Sequence, residues 1–209
     1  MNVARGLSGL LATSAERLDV YAERVLDAAR GELVEFGLRR TSLDDIARAA
    51  QVGRATLFRR FPNRDALHWA VAAREAQRSI SRVDEELARI EDPEEFLVAG
   101  AVAVIGEITG NELLQRLLVT DRDQMLPLLI GRDAPILPMG REYIAGHLRR
   151  IEAGGATLTG DPDVAAEILA RFVLSIALNP EGVLPLHDDE ALERMVRTTF
   201  VPMILAKAG

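Results

Sequence analysis

Apolar side chains recur three or four residues apart along almost the whole chain, and no stretch alternates apolar with polar long enough to make a strand. That spacing lays an apolar stripe along a helix, whereas a half-buried strand needs a period of two. The chain is therefore expected to be all-α. Its 209 residues, 48% hydrophobic and 27% charged, suit one compact domain or two that share a core, and are too apolar for a disordered chain. The absence of cysteine excludes a disulfide scaffold, thiol catalysis, an iron–sulfur cluster and a thiolate zinc site.

The N-terminal third holds the most specific arrangement. Thr13 with Glu16 three residues later reads as a capping box, and Leu18, Tyr21, Val25, Ala28 or Ala29, and Phe36 follow at helical spacing up to Gly37. After the turn at Leu38-Arg39-Arg40, Thr41 and Ser42 offer hydroxyl caps to a helix over 43–50, whose Asp44 and Asp45 suit its positive end. Gln51-Val52-Gly53 breaks the pattern. A third short helix over 54–61 stops at Pro62-Asn63. Two short helices about a tight glycine-containing turn make a helix-turn-helix. Ile46, Ala47, Val52 and Leu57 are placed to lock the pair, with Phe61 and Phe36 beneath them.

A formal charge of −7 ordinarily speaks against a nucleic-acid partner, but it is unevenly spread. Residues 1 to 65 carry 11 arginines against 9 acids, a balance of +2 that leaves −9 for residues 66 to 209. From 36 to 64, Arg39, Arg40, Arg48, Arg54, Arg59, Arg60 and Arg64 face only Asp44 and Asp45. Lys207 is the one lysine, so nearly every cation is a guanidinium suited to bidentate contacts, a bias that genome base composition also produces.

A helix fits the major groove of B-form DNA, and its N-terminal residues reach the base edges. Arg54, Ala55, Thr56, Phe58, Arg59 and Arg60 form the outer face of the third helix. Arg54 is placed to donate to guanine, and Ala55 to approach closely or touch a thymine methyl. Thr56, Arg59, Arg60 and Arg64, with Thr41 and Ser42, are placed for phosphates. The plainer reading is a solvated arginine face with hydroxyls that only cap; seven arginines around one helix-turn-helix weigh against it.

The stretch from Thr41-Ser42-Leu43-Asp44-Asp45-Ile46-Ala47 through Val52-Gly53-Arg54-Ala55-Thr56-Leu57-Phe58-Arg59-Arg60-Phe61 to Leu67 resembles the DNA-binding signature of TetR-type (tetracycline-repressor-like) transcriptional regulators. Val25–Arg30 and Gly37 are similar to that family's first helix, so about 50 residues are covered. Three departures stand out. Phe58 occupies the position of a family tyrosine whose hydroxyl reaches a phosphate, Arg60 that of a frequent histidine, and Gln51 that of the turn glycine, with Gly53 two residues later. Phe58 can pack but cannot donate, which shifts affinity toward charge and salt dependence.

Downstream, a fourth helix is expected from Arg64 to about Glu91, roughly 28 residues and about 42 Å long. Asp92-Pro93 then opens a new helix. Apolar segments at 96–109, 112–120, 122–131 and 138–153 follow, interrupted or opened by Pro127, Pro135 and Pro138. This broken region is the natural place for a cavity. Leu117, Met125, Leu128, Leu129, Met139, Tyr143 and His147 combine flexible apolar surface with two polar tips, as a small-ligand pocket requires, although ordinary core packing uses the same residues.

Asp161-Pro162 opens a helix in which Val164, Ile168, Phe172 and Ile176 recur every four residues beside Ala165, Leu169, Val173 and Ala177. The last helix, from about Asp188, adds Leu192, Met195, Val196 and Phe200, with Pro202 kinking it or marking its end. Ile168, Phe172, Ile176, Leu192, Val196 and Phe200 are expected to form a four-helix interface between two copies, as the resemblance also implies.

The expectation is a reader of about 65 residues (1–65) fused to a ligand-sensing, dimerising body (66–209), acting as a homodimeric repressor on double-stranded, palindromic operator DNA and released by a small apolar effector. The competing expectation is a non-enzymatic adaptor that uses the helix-turn-helix as a protein-binding face. His68, His147 and His187 lie 79 and 40 residues apart, which is no metal-ligand spacing, and no catalytic motif or cofactor fingerprint is present. The longest apolar run, Phe96–Gly106, has 11 residues and is too short to span a bilayer. A mobile N-terminal arm and a cytoplasmic location are expected, with no membrane partner.

Overall fold

The computed structural model describes residues 20–131 and 134–206. The expected N-terminal arm, the Thr13–Glu16 capping box, Leu18 and Lys207 lie outside these residues. The helices are α1 (Val20–Arg40), α2 (Leu43–Ala49), α3 (Arg54–Arg60), α4 (Arg64–Leu87), α5 (Pro93–Gly110), α6 (Glu112–Thr120), α7 (Arg122–Ile130), α8 (Ile136–Ala153), α9 (Pro162–Leu178), α10 (Asp189–Thr199) and α11 (Val201–Ile204). The chain is all-α; one isolated antiparallel bridge, Leu158–Leu205, is the β pairing among the described residues.

Aspartates set three of the downstream starts. Asp92 accepts from the Glu95 amide at 2.9 Å, Asp161 from Asp163 at 2.7 Å and Asp188 from Ala191 at 3.0 Å, each satisfying an amide that a helix leaves free in its first turn. Helix α4 ends at Leu87 rather than continuing to Glu91; Ile90 still packs on the core, and Asp92 takes the extended backbone of a helix cap (φ −68°, ψ 124°). Pro202 falls in the first turn of α11, where its missing amide hydrogen leaves no bond unmade.

Packing divides the chain into two compact units, Met1–Ile80 with Glu112–Leu126, and Ser81–Asn111 with Pro127–Gly209. In the first, Leu26, Ala29 and Leu33 of α1 meet Ile46 and Ala47 of α2, Leu57 of α3, Phe61, and Leu67 and Val71 of α4. Leu113 and Leu117 of α6 close this core. Phe36 was expected beneath the helix-turn-helix but is 39% exposed, because Leu33 and Leu38 hold the inner positions of that turn.

The end of α1 depends on one residue. Gly37 adopts φ 78° and ψ 176°, a conformation essentially restricted to glycine, and a Cβ there would lie 2.6 Å from Asp121 Oδ2. That carboxylate, 2% exposed, accepts the Leu38 amide at 3.0 Å and the Thr120 hydroxyl at 2.8 Å. The Thr41 hydroxyl donates back to the carbonyls of Gly37, at 2.8 Å, and Glu32, at 3.2 Å.

The turn after α2 closes with Val52 N–H on the Ala47 carbonyl at 3.0 Å and Gln51 N–H on that of Arg48 at 3.1 Å, the paired bonds of a Schellman motif. The motif needs a left-handed residue, and Gln51 supplies it at φ 55°. Gly53 is the extended N-cap of α3 at φ −68°, so its glycine freedom is not used. Gln51→Gly should therefore stabilise the protein by about 1 kcal/mol, seen as a higher urea midpoint at unchanged m-value; an unchanged midpoint would mean the turn holds glutamine without strain.

In the second unit, small residues bring α8 and α9 close together. Ala145 and Ala166 are fully buried, and a Cβ on Gly140 would meet that of Ala170 at 3.7 Å. Around this pair, Val83, Leu87, Phe96, Leu148 and Ile151 form one apolar cluster, and Val98, Ile105, Ile176, Leu192 and Val196 a second. No single described helix is long and apolar enough to cross a membrane.

Candidate functional site

Helix α3 buries only Leu57, which anchors it on α1 and α2. A helix of two turns fixed at one central point presents the rest of its surface outward, and Arg54, Ala55, Thr56, Phe58, Arg59 and Arg60 are all exposed. Arg54 Nε lies 2.8 Å from Asp44 Oδ1, and its guanidinium stands 5.7 Å from the Phe58 ring centre, which holds it at the start of α3. Ser42 caps α2 and donates to the Asp45 carboxylate, which also pairs with Arg48 Nη1 at 2.9 Å. The hydrogen bond from Ser42, then that from Arg48, holds the Asp45 carboxyl below its usual range.

Arg59 and Arg60 form no ion pair among the described residues, so the last turn of α3 carries two uncompensated cations. Arg64 is half-buried at the start of α4. Of the nine residues expected on this face, Thr41 alone is interior at 1% exposure, its hydroxyl engaged by backbone carbonyls and turned away from any phosphate. Asp121, which fixes the α1 end, carried no local signal; only its pairing with the distant Gly37 marks it.

The second unit holds an apolar cavity of about 90 Å³ that opens to solvent at its mouth. Its wall comes from the last turns of α4 (Val83, Leu87), from α5 (Phe96 to Ile105), α8, α9 and α10, and from Phe200 and Ile204. Of the seven residues expected to line a pocket, Tyr143 and His147 do so. Leu117 and Met125 belong to the core of the first unit, and Leu128, Leu129 and Met139 are not on the wall. The proline-containing α7 contributes nothing to the wall, which is assembled from helices far apart in sequence.

One corner of the wall is polar. The Tyr143 hydroxyl donates to Asp84 Oδ1 at 2.8 Å, and His147 Nε2 lies 3.2 Å from the same oxygen. The Tyr143 and His147 rings meet edge-on at 4.6 Å. Burial, with Asp84 adding, pushes the Tyr143 hydroxyl pKa well up. Burial pushes that of His147 below 6.5, Arg150 adding to the shift and Asp84 opposing it. His68 in the first unit is lowered the same way, by burial and then Arg64.

Both histidines fold neutral and take up protons more readily when unfolded. Stability should hold above pH 6.5, the ordinary histidine value, and fall as pH drops below it. His68→Gln with His147→Gln should flatten the dependence of the urea midpoint on pH across that window, and an unchanged slope would assign it elsewhere.

The six residues expected at a dimer interface separate in the structure. Ile176, Leu192 and Val196 are buried in the chain's own core. Phe172 and Phe200 pack on each other at 4.8 Å and line the cavity. Ile168 is 45% exposed, beside Val164 on the outer face of α9. A four-residue repeat advances about 40° per step around a helix, so from Val164 to Ile176 the stripe turns roughly 120°, from solvent into the core.

The family pattern described as "Bacterial regulatory proteins, tetR family" matches residues 25–71, from α1 into α4. The chain is 31% identical over 176 residues to the HTH-type transcriptional regulator Mb2274c of Mycobacterium bovis, covering 80% of this chain and 83% of that one. The chain belongs to the TetR family. As a TetR-family transcriptional regulator it carries the family's DNA-binding unit in the helices whose outward face is basic. Its fold matches that of the TetR-family repressor AlkX from a Dietzia strain, implicated in biodegradation of n-alkanes, with TM-score 0.60 at 20% identity over 89% of this chain and 96% of AlkX. It also matches AibR, whose crystal structure holds isovaleryl coenzyme A and operator DNA, with TM-score 0.50 at 19% identity over 86% and 96% of the two chains.

Proposed function

We propose that this TetR-family regulator represses transcription as a homodimer on a near-palindromic operator and leaves the DNA when a small apolar molecule fills the cavity. The observation that carries this reading is α4. Only three residues separate it from the end of α3, and its last turns supply Val83 and Leu87 to the cavity wall, so one helix is shared by the reading face and the ligand space. A ligand that binds one setting of α4 better than another changes DNA affinity by that difference. Dietzia AlkX as a repressor, and AibR with both acyl-coenzyme A and operator bound, support the same division of labour.

On the DNA, Arg54 and Ala55 read base edges, while Ser42, Thr56, Arg59, Arg60 and Arg64 hold phosphates. Phe58 packs beneath Arg54. The exposed apolar pair Val164 and Ile168 gives α9 a face for a second copy. Fluorescence anisotropy with the promoter DNA beside the regulator's own gene is the test. Saturable binding that survives competitor DNA at moderate salt supports the reading, and Arg54→Ala should relax sequence preference by about 1–3 kcal/mol at one base pair. Binding no tighter to that promoter than to random duplex would count against it.

A further inference from the structure

The chemistry of the cavity wall narrows what can enter it. None of the residues lining it is an acid, an arginine or a lysine, and its polar side chains are those of Tyr143 and His147 alone. Both are already committed as donors to one carboxylate oxygen, that of Asp84, at 2.8 and 3.2 Å. What they retain is lone pairs, on the Tyr143 oxygen and on Nδ1 of His147, so a ligand head group meets acceptors and no free donor. Asp84 itself is not on the wall; its half-exposed carboxylate is bound by the two rings. The Arg150 guanidinium stacks 4.6 Å from the Phe96 ring centre and does not line the cavity either.

A carboxylate or phosphate in this space would lose its hydration, find no cation and face the field of Asp84. An ammonium would lose its hydration without a carboxylate in contact. An aliphatic chain loses nothing on entering, and a hydroxyl can donate to either lone pair.

We propose that the effector class is an uncharged aliphatic molecule, a hydrocarbon chain ending in at most a hydrogen-bond donor such as a primary alcohol, and that the Asp84–Tyr143–His147 corner rejects its carboxylate counterpart. This rests on the effector reading above and specifies it.

The test is isothermal titration of the full-length protein with decanol, decanoate and decylammonium at pH 7.5, below their micelle thresholds, alongside the thermal shift each causes. Decanol should bind at least roughly tenfold tighter than either ion. In Asp84→Asn, which keeps the volume and an acceptor, decanoate should gain roughly tenfold while decanol changes little. Equal or tighter binding of either ion by the unaltered protein overturns the assignment of class and leaves the effector reading standing. Failure of all three to bind overturns both.

Discussion

Gly37→Ala should lower the stability of the folded protein by about 3 kcal/mol or more. Two costs combine there. The backbone at φ 78° and ψ 176° lies in a region that non-glycine residues occupy only at about 1–3 kcal/mol each. The new methyl would also sit 2.6 Å from Asp121 Oδ2, so that carboxylate would have to move. Moving it strips the Leu38 amide of its acceptor in a site closed to water, which costs about 1–3 kcal/mol. For a chain of 209 residues the sum corresponds to a fall in Tm of about 6–12 °C by differential scanning calorimetry. Gly31→Ala is the control. A Cβ at Gly31 meets nothing within 4 Å inside regular helix, so alanine there should be neutral or mildly stabilising. A drop of less than about 1 kcal/mol at Gly37 would show that the Asp121 contact yields easily.

The second large effect concerns DNA. Arg59→Ala combined with Arg60→Ala should weaken binding to every duplex by one to two orders of magnitude at about 0.1 M salt and flatten the slope of log K against log salt by about two. Both side chains are exposed at the end of α3 and unpaired among the described residues, so their removal leaves nothing buried without a partner and stability should stay within about 0.5 kcal/mol. Arg54 is the contrast. It is held by Asp44 and Phe58 at the opposite end of the helix, and its loss should change which sequence is preferred more than how salt acts. An unchanged salt slope in the double variant would mean that the last turn of α3 does not reach the phosphate backbone.

The reading face could be found from local order alone because little else decides it. Seven residues of α3, with Leu57 as the one apolar side chain at the helix-packing register, leave the other six outward in any arrangement that buries Leu57. Helix starts were legible for the same reason: an aspartate followed by proline or an apolar run caps a helix through bonds to its own next three residues. Thr41 went the other way. A hydroxyl before a helix reads as a cap or a phosphate contact, and its inward turn follows from the bend at Gly37, itself set against Asp121 84 residues away. Gln51 shows a local rule overruled by position: the turn needed its left-handed residue one step after the cap of α2, where glutamine stands, and the nearby glycine could not serve.

The order of residues by itself determined that this chain is all-α, that it begins with a basic helix-turn-helix, and that its negative charge lies in the remainder. These follow from period, capping and charge, which act within a few residues. Tertiary structure alone decided which apolar stripes face inward and where they fail to fill space. On α9 the four-residue repeat carries Val164 and Ile168 outward, Phe172 to the cavity and Ile176 into the core. Burial is a property of neighbours, and the neighbours of that helix come from α5, α8 and α10, so the hollow between them could be seen only once they were packed.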